Sequence, residues 1–322
     1  MSAIYKTICF LLLLSVLGSG LWRLGQIRYP ISRNPLEQCG KSPVLMIAGS
    51  SHGGDVDEKL LEVPAVNLSM DGADIYEMSY RLRYAASHYQ SIRYAVIVLS
   101  PFTFYYNNSY LIEEGGIRPR AANRVRTYIE YPMWKLQDGD LADFIMARLY
   151  PLVTFDHWGQ CFFPEEPSQL SVREWTEDEL DKYARLRVDG VRKVYANMKK
   201  NFTGDLTKAA KNTLLKTIAF LRARNVVVVM ITPPYWKEYN SLLEDDFLRG
   251  TRKIAREIEK ETGVRYSDYS RHQDFSSNMD LFFDSDHLNK KGTARFHALF
   301  VRKLAELPGY PQKIVSQSST AQ

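Results

Sequence analysis

Apolar positions along this chain fall into two kinds of pattern, short unbroken runs and repeats at every third or fourth residue, and the two alternate. Residues 44–48 form an apolar run that ends in Gly49-Ser50-Ser51-His52-Gly53-Gly54, which predicts a buried strand entering a tight turn. Residues 65–68 predict a second short strand. Ile75, Met78, Leu82, Ala86 and Tyr89 then recur at helical spacing before a third strand over 95–99. Far downstream, Leu206, Ala210, Leu214, Ile218 and Leu221 mark one face of a helix leading to residues 226–231. Those six consecutive apolar residues predict a strand covered on both faces. A charged helix over about 242–261 follows, then a short strand near 264–266. Last comes a helix with Phe296, Leu299, Phe300 and Leu304 on one side.

Strands that alternate with helices require right-handed crossovers and a mostly parallel sheet between helical layers. The predicted fold class is therefore α/β, three-layered, over residues 43–308. A long stretch, about 105–201, separates the third and fourth strands; its first half is rich in Tyr, Trp, Phe and Pro. Its second half is helical, with Leu180, Tyr183, Val191, Val194 and Met198 in register. We read it as an insertion roofing the carboxyl edge of the sheet, where open α/β sheets bind ligands. Its aromatics either pack a small core of their own or face a substrate. Residues 309–322 form a tail, Ser/Gln-rich toward its end and expected to be disordered.

At the other end, residues 8–22 carry no charge, and extending back to Ala3 adds only Lys6, close to the length that crosses a bilayer. Residues 1–24 are read as an uncleaved transmembrane anchor, with a cleaved secretory signal as the alternative, and residues 25–42 as a connector. Arg23, Arg28, Arg33 and Lys41 follow the segment, so charge counting alone would retain the body in the cytoplasm, but large domains translocate largely regardless of flanking charge. The expectation is a single-pass protein of the cytoplasmic (inner) membrane with its body outside.

Composition narrows the chemistry. With 42 Lys+Arg against 37 Asp+Glu in 322 residues, and no dense basic stripe, nucleic acid is not an expected partner. Three cysteines make no disulfide framework; Cys39 and Cys161 could form one bridge in an oxidising compartment. No cofactor is expected.

Two sites at opposite ends of the body carry reactive residue types. Gly49-Ser50-Ser51-His52 would expose a hydroxyl at the carboxyl edge of the sheet. Phe283-Asp284-Ser285-Asp286-His287-Leu288-Asn289 precedes the last helix. A serine nucleophile needs a base within hydrogen-bond reach and an acid that holds the base's tautomer, and Asp284 with His287, three apart, can supply both from one loop. The plain alternatives are an ordinary turn for the serines and an acidic helix cap for Asp284 and Asp286. A divalent-cation site drawing on Asp284, Asp286 and His287 with His52 or Asp55 is a third reading. After the fourth strand, Thr232-Pro233-Pro234-Tyr235-Trp236 reaches the same edge, so Tyr235, Trp236 and His52 are candidates to line a substrate groove; loop packing is the competing reading of the two aromatics.

The order and spacing of these blocks resemble the SGNH (GDSL) hydrolase superfamily, whose nucleophile follows the first strand and whose acid and base form a late Asp-x-x-His. The Gly-Ser-Ser variant, the N-terminal anchor, Asn67-Leu68-Ser69-x-x-Gly72 and His287-Leu288-Asn289-x-x-Gly292 look like the membrane-anchored envelope branch. That branch includes the D-alanyl transfer proteins of teichoic-acid modification and the SGNH partners of membrane-bound O-acyltransferases. The resemblance covers roughly residues 43–104 and 206–306. It implies a flavodoxin-like sheet, Ser51 as nucleophile, His287 as base and Asp284 as its orienter. The N–H groups of Ser51 and Gly72 would form the oxyanion hole. The superfamily's Gly-x-Asn-Asp block is absent, replaced by Ser100-Pro101-Phe102-Thr103-Phe104, which leaves Asn107 or Asn108 as substitute donors. The implied activity is serine O-acyl transfer or acyl-ester hydrolysis on a cell-envelope or exported polysaccharide, with an acyl donor supplied by a membrane-bound O-acyltransferase. The alternative is a non-catalytic glycan-binding or assembly partner of such an enzyme.

Overall fold

In the computed structural model, residues 42–107, 174–201 and 204–311 are described. The N-terminal segment, Cys39, Asn108, Cys161, the first half of the insertion and the end of the tail lie outside them. Five parallel strands form one sheet: β1 (Leu45–Ala48), β2 (Ala65–Asn67), β3 (Tyr94–Val98), β4 (Val227–Thr232) and β5 (Arg265–Asp268), in the order β2-β1-β3-β4-β5. The chain moves outward in one direction from β1 to β2, then returns past β1 to β3, so the order reverses between β1 and β3. Such a reversal opens a crevice at the carboxyl ends of the strands. The predicted α/β class and parallel sheet are observed, with strand ends within one or two residues of those read from the pattern.

Alternation along the strands divides the helices into two layers. Leu45, Ile47, Val96, Val98, Val229 and Ile231 share one core with the apolar faces of α2 (Glu177–Asn201), α4 (Lys237–Leu243) and α6 (Lys290–Ala305). The intervening positions are left to the opposite face, where α1 (Ile75–His88) contacts β1, α3 (Leu206–Arg222) contacts β4 and α5 (Arg249–Thr262) contacts β5. Helix α1 starts on a capping box, in which Asp74 accepts from the N–H groups of Tyr76 and Glu77 while Glu77 reaches back to the N–H of Asp74.

Two elements differ from the pattern reading. The helix expected over about 242–261 is two helices joined by a π-helical turn, Glu244–Leu248, which turns the adjacent Phe247 and Leu248 both inward. Glu244 in that turn gathers Arg249, Arg252 and Arg271. The described half of the insertion, α2, is part of the helical layer as well as reaching the carboxyl edge: Leu180, Ala184 and Val188 are fully buried against the sheet core, while Asp181 and Arg187 bond Trp236 and Asp286. Among the described residues no helix is long and apolar enough to cross a membrane.

Candidate active site

The residue leaving β1 passes so close to β3 that a Cβ on Gly49 would lie 2.9 Å from that of Val98. Ser51–Asp55 then forms a 3-10 turn, closed by the N–H of Gly53 donating to Ser50 O at 3.0 Å. The end of β2 braces this turn. The Asn67 amide donates to Gly53 O at 2.8 Å and Val56 O at 3.0 Å, while its oxygen accepts from the N–H of Ser69. The approach is tight enough that a Cβ on Gly53 would stand 1.9 Å from Ser69 Oγ and 2.4 Å from Ser69 Cβ. Ser51 opens the turn, so its own N–H has no acceptor within it.

The second half of the site is the loop before α6. Asp284 Oδ1 accepts from the N–H groups of Asp286 (3.0 Å) and His287 (2.8 Å), which closes the loop around its own carboxylate. Neighbouring elements hold the loop from outside: Trp175 Nε1 donates to Phe283 O, the N–H of Trp236 to Ser285 O, and the N–H of Leu288 to Asp55 Oδ1 at 2.9 Å. Asn289 accepts from the N–H of Gly292 and so starts α6.

These two halves bring Ser51, His287 and Asp284 together. His287 Nε2 lies 2.9 Å from Ser51 Oγ, and His287 Nδ1 lies 2.9 and 3.0 Å from the two oxygens of Asp284. With Nδ1–H given to Asp284, Nε2 is the atom that faces the hydroxyl. This is the hydrogen-bonded relation that serine nucleophile, base and orienter require. The serine-turn and helix-cap readings account for the backbone of both loops but not for the Ser51–His287 contact.

A second set of groups sits against the first. His52 is wholly buried and stacks on His287, with ring centroids 4.8 Å apart and planes 12° from parallel. Its Nδ1 is 3.2 Å from Ser50 Oγ and its Nε2 3.4 Å from Asp286 Oδ2. Asp286, also wholly buried, receives the Arg187 guanidinium of α2 on both oxygens, Nε at 3.3 Å and an Nη at 3.0 Å, and Ser285 Oγ at 3.3 Å. Its Oδ1 is 3.9 Å from His287 Nδ1. Neither Arg187 nor the brace at Asn67 was assigned a role from the sequence. An arginine on a charged helix has no local signature, and Asn67 stood out only as the first residue of the Asn67-Leu68-Ser69-x-x-Gly72 block, with no task attached to it.

Three expected groove residues are corrected. His52, Tyr235 and Trp236 do not line a groove: each is buried, at 0, 0 and 2% exposure. Tyr235 packs edge-on against His52 and Trp236 Nε1 donates to Asp181 of α2 at 2.6 Å, so the packing reading of the aromatics holds. The physical reason is that α2 and the acidic loop close over the edge to which the strand pattern delivers these residues. Gly72 lies in an exposed turn after β2 at φ +63°, on the carboxyl side of the sheet. Asn107 is buried just beyond the turn following β3, and we assign it no oxyanion role. In that turn Phe102 faces the edge of His52.

The electrostatics follow from burial. Burial works to lower the proton affinity of His287, but Asp286, Asp284 and Asp55 overcome it and raise the imidazole to about 10. His52 is lowered, chiefly by burial, so it is the neutral ring of the stacked pair. Burial acts to raise Asp286, yet His287, His52 and Arg187 hold it well below the usual carboxylate range. Asp55, desolvated and with one oxygen unpartnered, is pushed up to about 8.

Atoms of His52, Asp286 and His287 lie within 4.8 Å of one another, close enough to surround a cation. Arg187 already neutralises both oxygens of Asp286, and both nitrogens of His287 are committed to Ser51 and Asp284. We therefore assign no metal ligand there. No protein-family model and no curated protein matches this chain.

Proposed function

We propose that the chain is a serine-dependent acyl-transferring enzyme of SGNH type, an O-acyltransferase or acylesterase. The observation that carries this is the 2.9 Å contact between Ser51 Oγ and His287 Nε2, with Asp284 on the other nitrogen. A metal site or a plain turn has no need of that register.

In this reading Ser51 Oγ attacks the acyl carbonyl while His287 Nε2 takes its proton, and Asp284 stabilises the imidazolium so formed. The Ser51 N–H would donate to the developing oxyanion. His287 then returns the proton to the departing oxygen, leaving acyl-Ser51. An acceptor hydroxyl gives its proton to His287, attacks the acyl group and restores Ser51. A sugar hydroxyl as acceptor makes the reaction a transfer; water makes it hydrolysis. The polysaccharide acceptor, the donor-supplying membrane-bound O-acyltransferase, the N-terminal anchor and the extracytoplasmic location rest on the resemblance and on the apolar N-terminus.

The raised proton affinity of His287 adds a condition. The base must be neutral to accept a proton, so reactivity rises with pH toward the value of about 10.

The test is to treat the full-length chain with an alkyl fluorophosphonate between pH 6 and about pH 10 and locate adducts by intact-mass and peptide spectrometry. A single adduct on Ser51, absent from Ser51→Ala and His287→Ala and retained in Ser50→Ala, is the expected result. Folded wild-type protein without an adduct at any pH would overturn the catalytic reading and favour the non-catalytic binding partner.

A further inference from the structure

We propose that Arg187 and His52 form a polar array around the buried Asp286, whose carboxylate acts on His287 as a second acid beside Asp284. Asp286 is then a positioning residue for the base. The inference rests on reading His287 as the base of Ser51.

The array is built rather than incidental. A buried carboxylate costs several kcal/mol in desolvation unless it is paired, and every contact of Asp286 answers that cost. Arg187 takes both oxygens in a fork, Ser285 Oγ approaches one and His52 Nε2 stands off the other. The cation comes from α2, in the inserted stretch, 99 positions away in sequence. Ser50 and His52 complete the chain: with Ser50 donating to His52 Nδ1, the His52 proton sits on Nε2, the nitrogen 3.4 Å from Asp286 Oδ2. That gives the serine preceding the nucleophile a task of its own.

Stacking explains why His52 belongs to the array. A charged ring 4.8 Å from another charged ring would repel it, whereas a neutral imidazole accommodates the imidazolium that forms when His287 takes the Ser51 proton. The groups facing His287 are Asp284 and Asp286 from its own loop and Ser51, His52 and Asp55 from the 3-10 turn; behind them, Arg187 of α2 lies on Asp286 and the Tyr239 phenol of α4 is near it. Of these, Asp286 and Arg187 carry opposite charges, and neither side chain takes part in the Ser51–His287–Asp284 contacts.

That opposition gives a test which a merely structural role fails. The full-length chain, labelled with 15N-histidine, is titrated by NMR. The His287 ring is assigned from the spectrum of His287→Gln. A unit charge 3.9 Å from Nδ1 predicts that Asp286→Asn lowers the His287 midpoint by about one to three pH units. Arg187→Gln should raise it. Loosening of the loop would move both variants the same way. A common direction, or an Asp286→Asn midpoint within about 0.3 units of wild type, overturns the proposal. Arg187 is partly exposed on its helix, so Arg187→Gln alone decides the sign if Asp286→Asn does not fold. The phosphonate profile separates the two readings. Opposed NMR shifts with an unreactive Ser51 would sustain the array and overturn catalysis. A reactive Ser51 whose pH limb ignores Asp286 would sustain catalysis and overturn the array.

Discussion

Gly53 leaves no room for a side chain against Ser69, and replacing it is a demanding check on how Ser51 is placed. In Gly53→Ala the new Cβ would begin 1.9 Å from Ser69 Oγ and 2.4 Å from Ser69 Cβ. Ordinary carbon contacts begin at about 3.5 Å, so the two segments must part by roughly 1 to 1.5 Å. The hydroxyl can rotate away but the Ser69 Cβ cannot, and Ser69 is held by its N–H to Asn67. The 3-10 turn therefore yields, carrying Ser51 two residues upstream. Overpacking of this size costs about 1–3 kcal/mol of stability. A misplacement of about 1 Å between nucleophile and base costs on the order of 100-fold in rate. The assay is the second-order rate of phosphonate labelling at Ser51, with a thermal melt on the same samples. Gly53→Ala should label about 100-fold more slowly, and Gly53→Ala with Ser69→Gly, which removes both offending atoms, should recover most of the loss. Labelling of Gly53→Ala at the wild-type rate, or a double variant no better than the single, would refute the reasoning.

Asp284→Asn removes the charge that fixes the His287 tautomer and should slow Ser51 labelling by about 10³–10⁴-fold with little change in the melt; a loss under tenfold would sink the orienter role. Asp55 binds its proton more tightly in the fold than in the unfolded chain, so its contribution to stability falls as pH rises from about 4 to about 8. Asp55→Asn keeps the acceptor for Leu288 but not the charge, and should melt higher than wild type at pH 9 and about equally at pH 4. Equal differences at both pH values would contradict this account. Trp236→Phe loses the bond to Asp181 and should cost about 1 kcal/mol in urea unfolding while labelling stays within about twofold. A large labelling defect in a stable protein would return Trp236 to the substrate surface.

The parts of this architecture that could be read from the sequence are those governed by local period. Residues 226–231 announce a doubly covered strand because no polar residue interrupts them, and Leu206 to Leu221 announce a helix by spacing alone. The Asp284–His287 contact was legible for a similar reason, since the two are three apart and one loop closes around both. What was not legible depends on the third dimension. His52 sits beside Ser51 in sequence, yet whether a turn residue points to solvent or under the sheet is decided by Tyr235, Phe102 and the acidic loop, all distant in the chain. Asp286 read equally well as a cap or a ligand until Arg187 was seen on it. The π turn at Glu244–Leu248 is invisible to a pattern of charges, because only the burial of both Phe247 and Leu248 requires it.

The Ser51–His287 contact joins positions 236 apart in the chain, and all five strands are threaded between or beside them. Contacts of that span close late in folding, since the loop entropy must be offset by shorter-range structure first. Helical signal will therefore return before the Ser51–His287 contact when the denatured chain refolds. A nascent chain emerging from the ribosome holds Ser51 without its imidazole partner until His287 has been made. If Ser51 is the nucleophile proposed above, reactivity at that one hydroxyl is a clock for the final closure of the sheet edge, silent on any chain that stops short of His287.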